Sequence, residues 1–117
     1  MAPVVAVKKE RKGDILVLRI SGRLDALSSE ETERMVSKLI ANGEHRVLFD
    51  FTGVDYLSSA GMRMLLASYK KLKAVSGQMA VCSVGDGVMD ILKMSGFDEI
   101  LNVYSDEEEA LKVFHVG

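Results

Sequence analysis

The sequence predicts an α/β domain: a mixed, mostly parallel sheet of four to five strands in the order ββαβαβαβα, covered by about four helices. Three observations carry that expectation. Two aliphatic, β-branched runs, VVAV and ILVLRI, flank the charged stretch KKERKGD with its glycine, which is a hairpin pattern. Each later apolar run alternates with a stretch of helical period, and parallel pairing needs such crossovers. The 117 residues suffice for one core and not for two, and no repeat or proline-rich linker marks a boundary, so one domain is expected over residues 1–117.

Taken in order, residues 3–9 and 14–21 are the hairpin strands. SGRLDALSSEE breaks the pattern and leads into a helix over about 29–42, with Met35, Val36, Leu39 and Ile40 as its apolar stripe and Asn42-Gly43 as its stop. HRVLFDF is the next strand, and TGVDYL is expected to cross the surface as a connection. A helix over 59–76 follows, because Met62, Leu65, Leu66, Tyr69 and Leu72 recur at helical spacing, and Gly77 ends it. QMAVCSV is a strand, GDGVMDILKMSG a short helix, EILNVY a weaker fifth strand and SDEEEALKVF a final helix.

Composition narrows the classes of function. A net charge of −2 gives no general reason to expect direct binding to nucleic acid or an anionic membrane, although a local patch is compatible with it. No run approaches the roughly 18 consecutive apolar residues of a membrane span, and MAPVVAVKKERKGD does not have the order of a signal peptide. The single cysteine, Cys82, lies in the apolar run MAVCSV, which fits a buried thiol in a reducing compartment and hence the cytoplasm. His, Cys and carboxylate residues show no metal-ligand spacing, so neither metal nor other cofactor is expected. Oligomeric state is left open.

The stretch VDYLSSAGMRMLL, residues 54–66, stands apart. Ser28-x-x-Glu31 and Ser105-x-x-Glu108 fit capping boxes, and Glu30, Glu31 and Glu33 in one helix and Asp106 to Glu109 in another would complement the positive helix end. The helix after Gly85 has Asp86 and Asp90. The helix opening on Ser58-Ser59-Ala60-Gly61-Met62-Arg63 has no acid, so its free N–H groups would suit an added phosphate. A plain serine N-cap explains the same residues, and one serine can cap while the other is presented. A nucleophile elbow fits poorly: Leu57 stands where the first glycine of Gly-x-Ser-x-Gly belongs, and neither His45 nor His115 is an anchored base.

GRLD at residues 22–25, RVLFDFTGVDYLSSAGMRMLLASYKKLKAVSGQMAVCSV and ILKMSGFDEILNVYSDEEEAL together resemble the STAS domain, specifically the bacterial anti-sigma factor antagonists, over nearly the whole chain. The resemblance implies that an anti-sigma factor that is also a serine kinase binds this domain and phosphorylates it at the serine turn, and that a serine phosphatase resets it. Aligning Gly61 with the family glycine puts the phosphorylated serine on Ser59, with Ser58 second; Ser58 then replaces the family's usual aspartate. The implied partner-binding residues are Asp25, Ser58, Ser59, Gly61, Met62, Arg63 and Met64. The protein would be a kinase substrate with no catalysis of its own. The alternative that the resemblance allows is a STAS interaction module in a stressosome-like scaffold or a lipid-transport ATPase complex.

Other residues carry bland and functional readings side by side. Asp25 is a cap or loop residue, or part of the partner site. Lys70, Lys71 and Lys73 read as a solvated face near a helix C-terminus rather than an anion patch. Met62, Met64, Met89 and Met94 fill gaps or form an adaptable surface, and Met64 is the one that the expected stripe leaves over. GDG at 85–87 is expected to be a turn and cap, because Asp86 and Asp90 would repel phosphate.

Overall fold

The apolar runs of the sequence line up as neighbouring strands with both faces covered. The computed structural model describes residues 4–114; Pro3, expected to open the first strand, and His115 lie outside the described residues. The elements are β1 (Val5–Lys12), β2 (Ile15–Leu24), α1 (Ala26–Ala41), β3 (Arg46–Leu57), α2 (Ser59–Ala74), β4 (Gln78–Cys82), α3 (Asp86–Met94), α4 (Phe97–Ile100), β5 (Val103–Tyr104) and α5 (Glu107–Phe114). The strands form one sheet in the order β1-β2-β3-β4-β5, with β1 antiparallel to β2 and every other pair parallel.

Alternation along the strands builds two cores. Leu16, Leu18 and Ile20 of β2, Val47, Phe49 and Phe51 of β3 and Met79 and Val81 of β4 point to the side packed by α1, α2 and α3. The intervening Ile15, Val17, Leu48, Ala80 and Cys82 point to the other side, where Ala110 and Phe114 of α5 cover them. Strands buried on both faces read as unbroken apolar runs, which is why these three were legible in the sequence.

The differences from expectation have physical causes. β1 runs through the charged KKERK stretch to Lys12, because the antiparallel register with β2 continues to Lys12↔Ile15 and exposed charge is tolerated on an edge. TGVDYL is not a surface connection but the second half of β3, held by pairing with β2 as far as Leu24↔Leu57 across two register shifts. EILNVY is split: Phe97–Ile100 form the extra helix α4, making five helices among the described residues, and of this stretch only Val103 and Tyr104 pair with β4.

Helix α1 starts at Ala26, three residues before its expected start. Asp25, not Ser28, is the cap: its carboxylate accepts the Ser28 N–H at 2.9 Å, and the Ser28 hydroxyl oxygen accepts the Asp25 N–H at 3.0 Å. The Ser28/Glu31 box therefore does not form. The Ser105/Glu108 box is displaced in the same way, since Asp106 accepts the Glu109 N–H at 2.8 Å. Val36 and Ile40 are buried and Met35 and Leu39 flank them, as the stripe predicts.

Ionic contacts fasten α5 at its N-terminus. Arg19, midway along β2, donates to Glu107 at 2.6 Å, to Asp50 at 2.7 Å and to Glu10 at 3.0 Å, while Lys12 also pairs with Glu107. Hydrogen bonds from Arg19 and then Lys12 hold the Glu107 carboxyl below its usual range. Burial pushes Asp50 upward, but the Thr52 hydroxyl and N–H, together with Arg19, outweigh it and leave Asp50 lowered.

Candidate functional site

The site is built where the parallel strands β2 and β3 end side by side. Leu24 and Leu57 are paired, and each is followed at once by the cap of a helix, Asp25 for α1 and Ser58 for α2. The two turns are tied together by one carbonyl. Leu24 O accepts the Ser58 N–H at 2.9 Å and the Ser58 hydroxyl at 2.7 Å, and the Ser58 Oγ in turn accepts the Gly61 N–H at 3.2 Å. Ser58 thus spends both its donor and an acceptor lone pair inside the fold.

Ser59 differs sharply from its neighbour. It is the first residue of α2, and it is exposed. Because Ser58 takes the Gly61 N–H, the N–H groups of Ser59 and Ala60 are the ones left at this helix end. The first turn of α2 carries no acid. That alone does not set it apart, since α1 also lacks an acid in its first turn, contrary to expectation; α1 has its carboxylate one position earlier, in the cap Asp25. Among the described helices with assigned caps, α2 has a carboxylate in neither place.

Gly61 is needed for packing. A Cβ there would lie 2.5 Å from Leu57 Cδ1, 3.2 Å from Leu24 Cβ and 3.3 Å from Leu24 O, so the helix start could not sit this close to the strand ends. Gly61 is buried and presents no surface of its own. The same holds more strongly for Met64. Expected at a partner surface, it is fully buried at 0 % exposure, and this residue is corrected to the core. The buried face of α2 is Gly61, Met64, Leu65, Ser68 and Leu72, with Met62, Leu66 and Tyr69 along its flanks. Hydrophobicity did not mark Gly61 and Ser68 as inward, so the expected stripe was rotated away from Met64.

Of the expected partner-binding residues, the structure brings Asp25, Ser58, Ser59, Met62 and Arg63 to one end of the molecule, with Ser59 and Arg63 exposed and Met62 half-buried. Asp25 is engaged as a cap: the Ser28 N–H and then the Ser28 hydroxyl hold its carboxyl below the usual range. Arg63 lines a shallow cleft between the two helices together with Ala60 of α2 and Ala26, Ser29, Glu30 and Glu33 of α1. The Ser29 hydroxyl, 1 % exposed, has no hydrogen-bond partner.

This end also carries exposed apolar side chains that hydrophobic periodicity does not mark. Leu27, in the first turn of α1, is 65 % exposed, and Tyr56, one residue before Leu57, is 38 % exposed with the Arg23 guanidinium 4.3 Å above its ring. Alternation alone would not find Tyr56, because Val54, two residues earlier, is buried; the register shift between Gly22↔Val54 and Arg23↔Tyr56 breaks the alternation and leaves Tyr56 outward.

Other chemistries lack a constellation among the described residues. His45 precedes β3 and so lies at the opposite end of a twelve-residue strand from Ser58 and Ser59. No group of His, Cys, Asp and Glu side chains could hold a metal ion. Cys82 is buried, and burial pushes its thiol up to about 11. Among the described residues no helix is long and apolar enough to cross a membrane.

The family model of the STAS domain matches residues 6–110, and the chain belongs to that family. It is 31 % identical over 100 residues to BtrV of Bordetella bronchiseptica, assigned as an anti-sigma factor antagonist, covering 86 % of each chain. It is 28 % identical over 111 residues to the anti-sigma F factor antagonist of Paenibacillus polymyxa, covering 94 % of this chain and 95 % of that one. In fold it is similar to an anti-sigma factor antagonist from Mycobacterium paratuberculosis, with a TM-score of 0.86, 24 % identity and 96 % of each chain covered. It also resembles the phosphorylated form of the Bacillus cell fate determinant SpoIIAA, with a TM-score of 0.72, 22 % identity, and 94 % of this chain and all of that one covered.

Proposed function

We propose that this chain is a cytoplasmic anti-sigma factor antagonist whose grip on an anti-sigma factor is released by phosphorylation of Ser59. The unmodified protein binds an anti-sigma factor that is also a serine kinase, and sigma factor is freed; the modified protein lets go, and a serine phosphatase restores it. The kinase brings ATP and its metal, and this chain supplies a substrate and a surface. One observation carries the choice of serine: the Ser58 hydroxyl is committed to Leu24 O and the Gly61 N–H, whereas Ser59 is exposed on the first turn of the same helix.

The physical logic favours a switch at the surface rather than in the fold. A phosphate adds about −1.5 to −2 charges. At a helix N-terminus with no acid in its cap or first turn, that charge is accommodated locally. Against a partner it must be desolvated, at an end of the molecule that also exposes the apolar side chains of Leu27 and Tyr56. A penalty of about 1.4 kcal/mol already weakens binding tenfold, so few unfavourable contacts are needed. The names of the relatives support the reading at the level of function, and it extends them to a particular serine.

The test is to incubate the protein with its cognate kinase and ATP, locate the phosphate by mass spectrometry, and measure kinase binding by wild type, Ser58→Ala, Ser59→Ala and stoichiometrically phosphorylated protein. Modification at Ser59 with loss of binding is the expected result. Phosphate confined to Ser58, or unchanged binding after full modification, overturns it.

A further inference from the structure

Arg63 lies four positions after Ser59 on α2, is exposed, and makes no ion pair among the described residues. Side chains on a helix lean back over the turn that precedes them, so the surface that Arg63 covers is the one on which Ser59 stands. Spacing of four residues with the anion on the N-terminal side is the favourable order for a helical ion pair. Guanidinium and phosphate also match in shape, because the planar fork can donate two parallel hydrogen bonds to two phosphate oxygens.

We propose that Arg63 is the intrachain counter-ion of phosphorylated Ser59. The inference rests on the Ser59 reading above and adds a second effect to it. In the unmodified chain Arg63 projects as an unpaired cation from the rim of the α1–α2 cleft, facing Glu30 and Glu33 across it. Glu30 already pairs with Arg34 at 3.0 Å, which weakens its claim on Arg63. A phosphate on Ser59 offers a charge of about −2 one helical turn away, and Arg63 turns to it. One modification then removes two features from the docking face, a neutral hydroxyl and a free guanidinium.

The other charged groups at this end do not replace Arg63. Asp25 is an anion and cannot serve as a counter-ion, and the Arg23 guanidinium is stacked on Tyr56. On α2 itself the remaining cations, Lys70, Lys71 and Lys73, begin eleven positions after Ser59, about three turns along the helix. The unpartnered Ser29 hydroxyl sits in the same cleft, but it is buried and carries no charge, so it does not compete for the phosphate.

The experiment installs phosphoserine at position 59 during translation, which needs no kinase and so separates this proposal from the question of which serine the kinase selects. Phosphorus NMR then follows the second ionisation of the phosphate in otherwise wild-type protein and in the Arg63→Gln, Arg63→Lys and Lys70→Gln backgrounds, with circular dichroism reporting the fold of each. A paired guanidinium favours the dianion, so Arg63→Gln is expected to raise the titration midpoint by about 0.3 pH unit, with Arg63→Lys recovering part of it and Lys70→Gln leaving it in place. The shift should shrink in high salt. Coincident midpoints for wild type and Arg63→Gln overturn the pairing, and so does an equal shift in Lys70→Gln, which would report net charge alone. A Ser59 that the kinase ignores, with the midpoint shift intact, would instead count against the modification reading.

Discussion

The carbonyl of Leu24 accepts two hydrogen bonds from Ser58, one from its N–H at 2.9 Å and one from its hydroxyl at 2.7 Å. The end of β2 is thereby fixed to the start of α2, thirty-four residues on. The adjacent serines are consequently unlike in everything but composition: one holds the turn together and the other stands on it.

Ser58→Ala should destabilise the domain by about 1 kcal/mol, the usual cost of losing an N-cap, while Ser59→Ala should change stability by less than about 0.5 kcal/mol. Urea unfolding with a common m-value measures both. Equal effects of the two substitutions would contradict the division of labour between them.

Met64→Ala should cost about 2 to 5 kcal/mol, because the side chain is fully buried and its removal leaves a cavity. Met64→Leu should cost less than about 1.5 kcal/mol. A surface methionine would show neither the loss nor the rescue, so the pair of unfolding curves decides the placement.

At Gly61, a branched side chain would have to displace Leu57 and Leu24, both buried. Gly61→Val is expected to destabilise by about 2 kcal/mol through overpacking, and to reduce protection of the Ser58 and Gly61 amides in hydrogen exchange as the turn loosens. Unchanged protection at those amides would mean that the helix start does not depend on this close approach.

The Arg19 cluster makes a pH prediction. Glu107 and Asp50 have folded-state values below their ordinary ones, 4.5 and 3.8, so their contribution is present above those values and is lost as pH falls through the lowered folded values. Glu107→Gln should cost about 1 kcal/mol at neutral pH, and the difference from wild type should close in acid as the native carboxyl protonates. Urea midpoints collected from pH 7 downward test this; a gap that stays constant with pH would show that the carboxylate charge is not what holds α5.

Sequence and structure divide the explanation along a physical line. Periodicity reports burial within one element, and so β4 and the first halves of β2 and β3, apolar runs buried on both faces, were legible, as were the crossovers between them and the single-domain plan; the polar second half of β3 was not. The acid-free turn at Ser58 and Ser59 was equally visible, because residue type alone fixes where charge is absent.

What the chain determined by itself was therefore the order of its elements, the short α4 excepted, and the chemistry available at each turn. Tertiary structure decided which of several suitable groups was used. Asp25 and Ser28 are both good caps, and the choice fell to Asp25 where β2 ends against β3 at Leu24↔Leu57. Met64 and Leu66 are both apolar, and the inward face of α2 was set by Gly61 and Ser68, small residues that let the helix approach and that hydrophobicity does not register. Arg19, Asp50 and Glu107 come from three distant segments and meet only because the sheet and α5 bring them together. Competition between near-equal local options is settled by long-range contacts, and those become defined when the strands are in register.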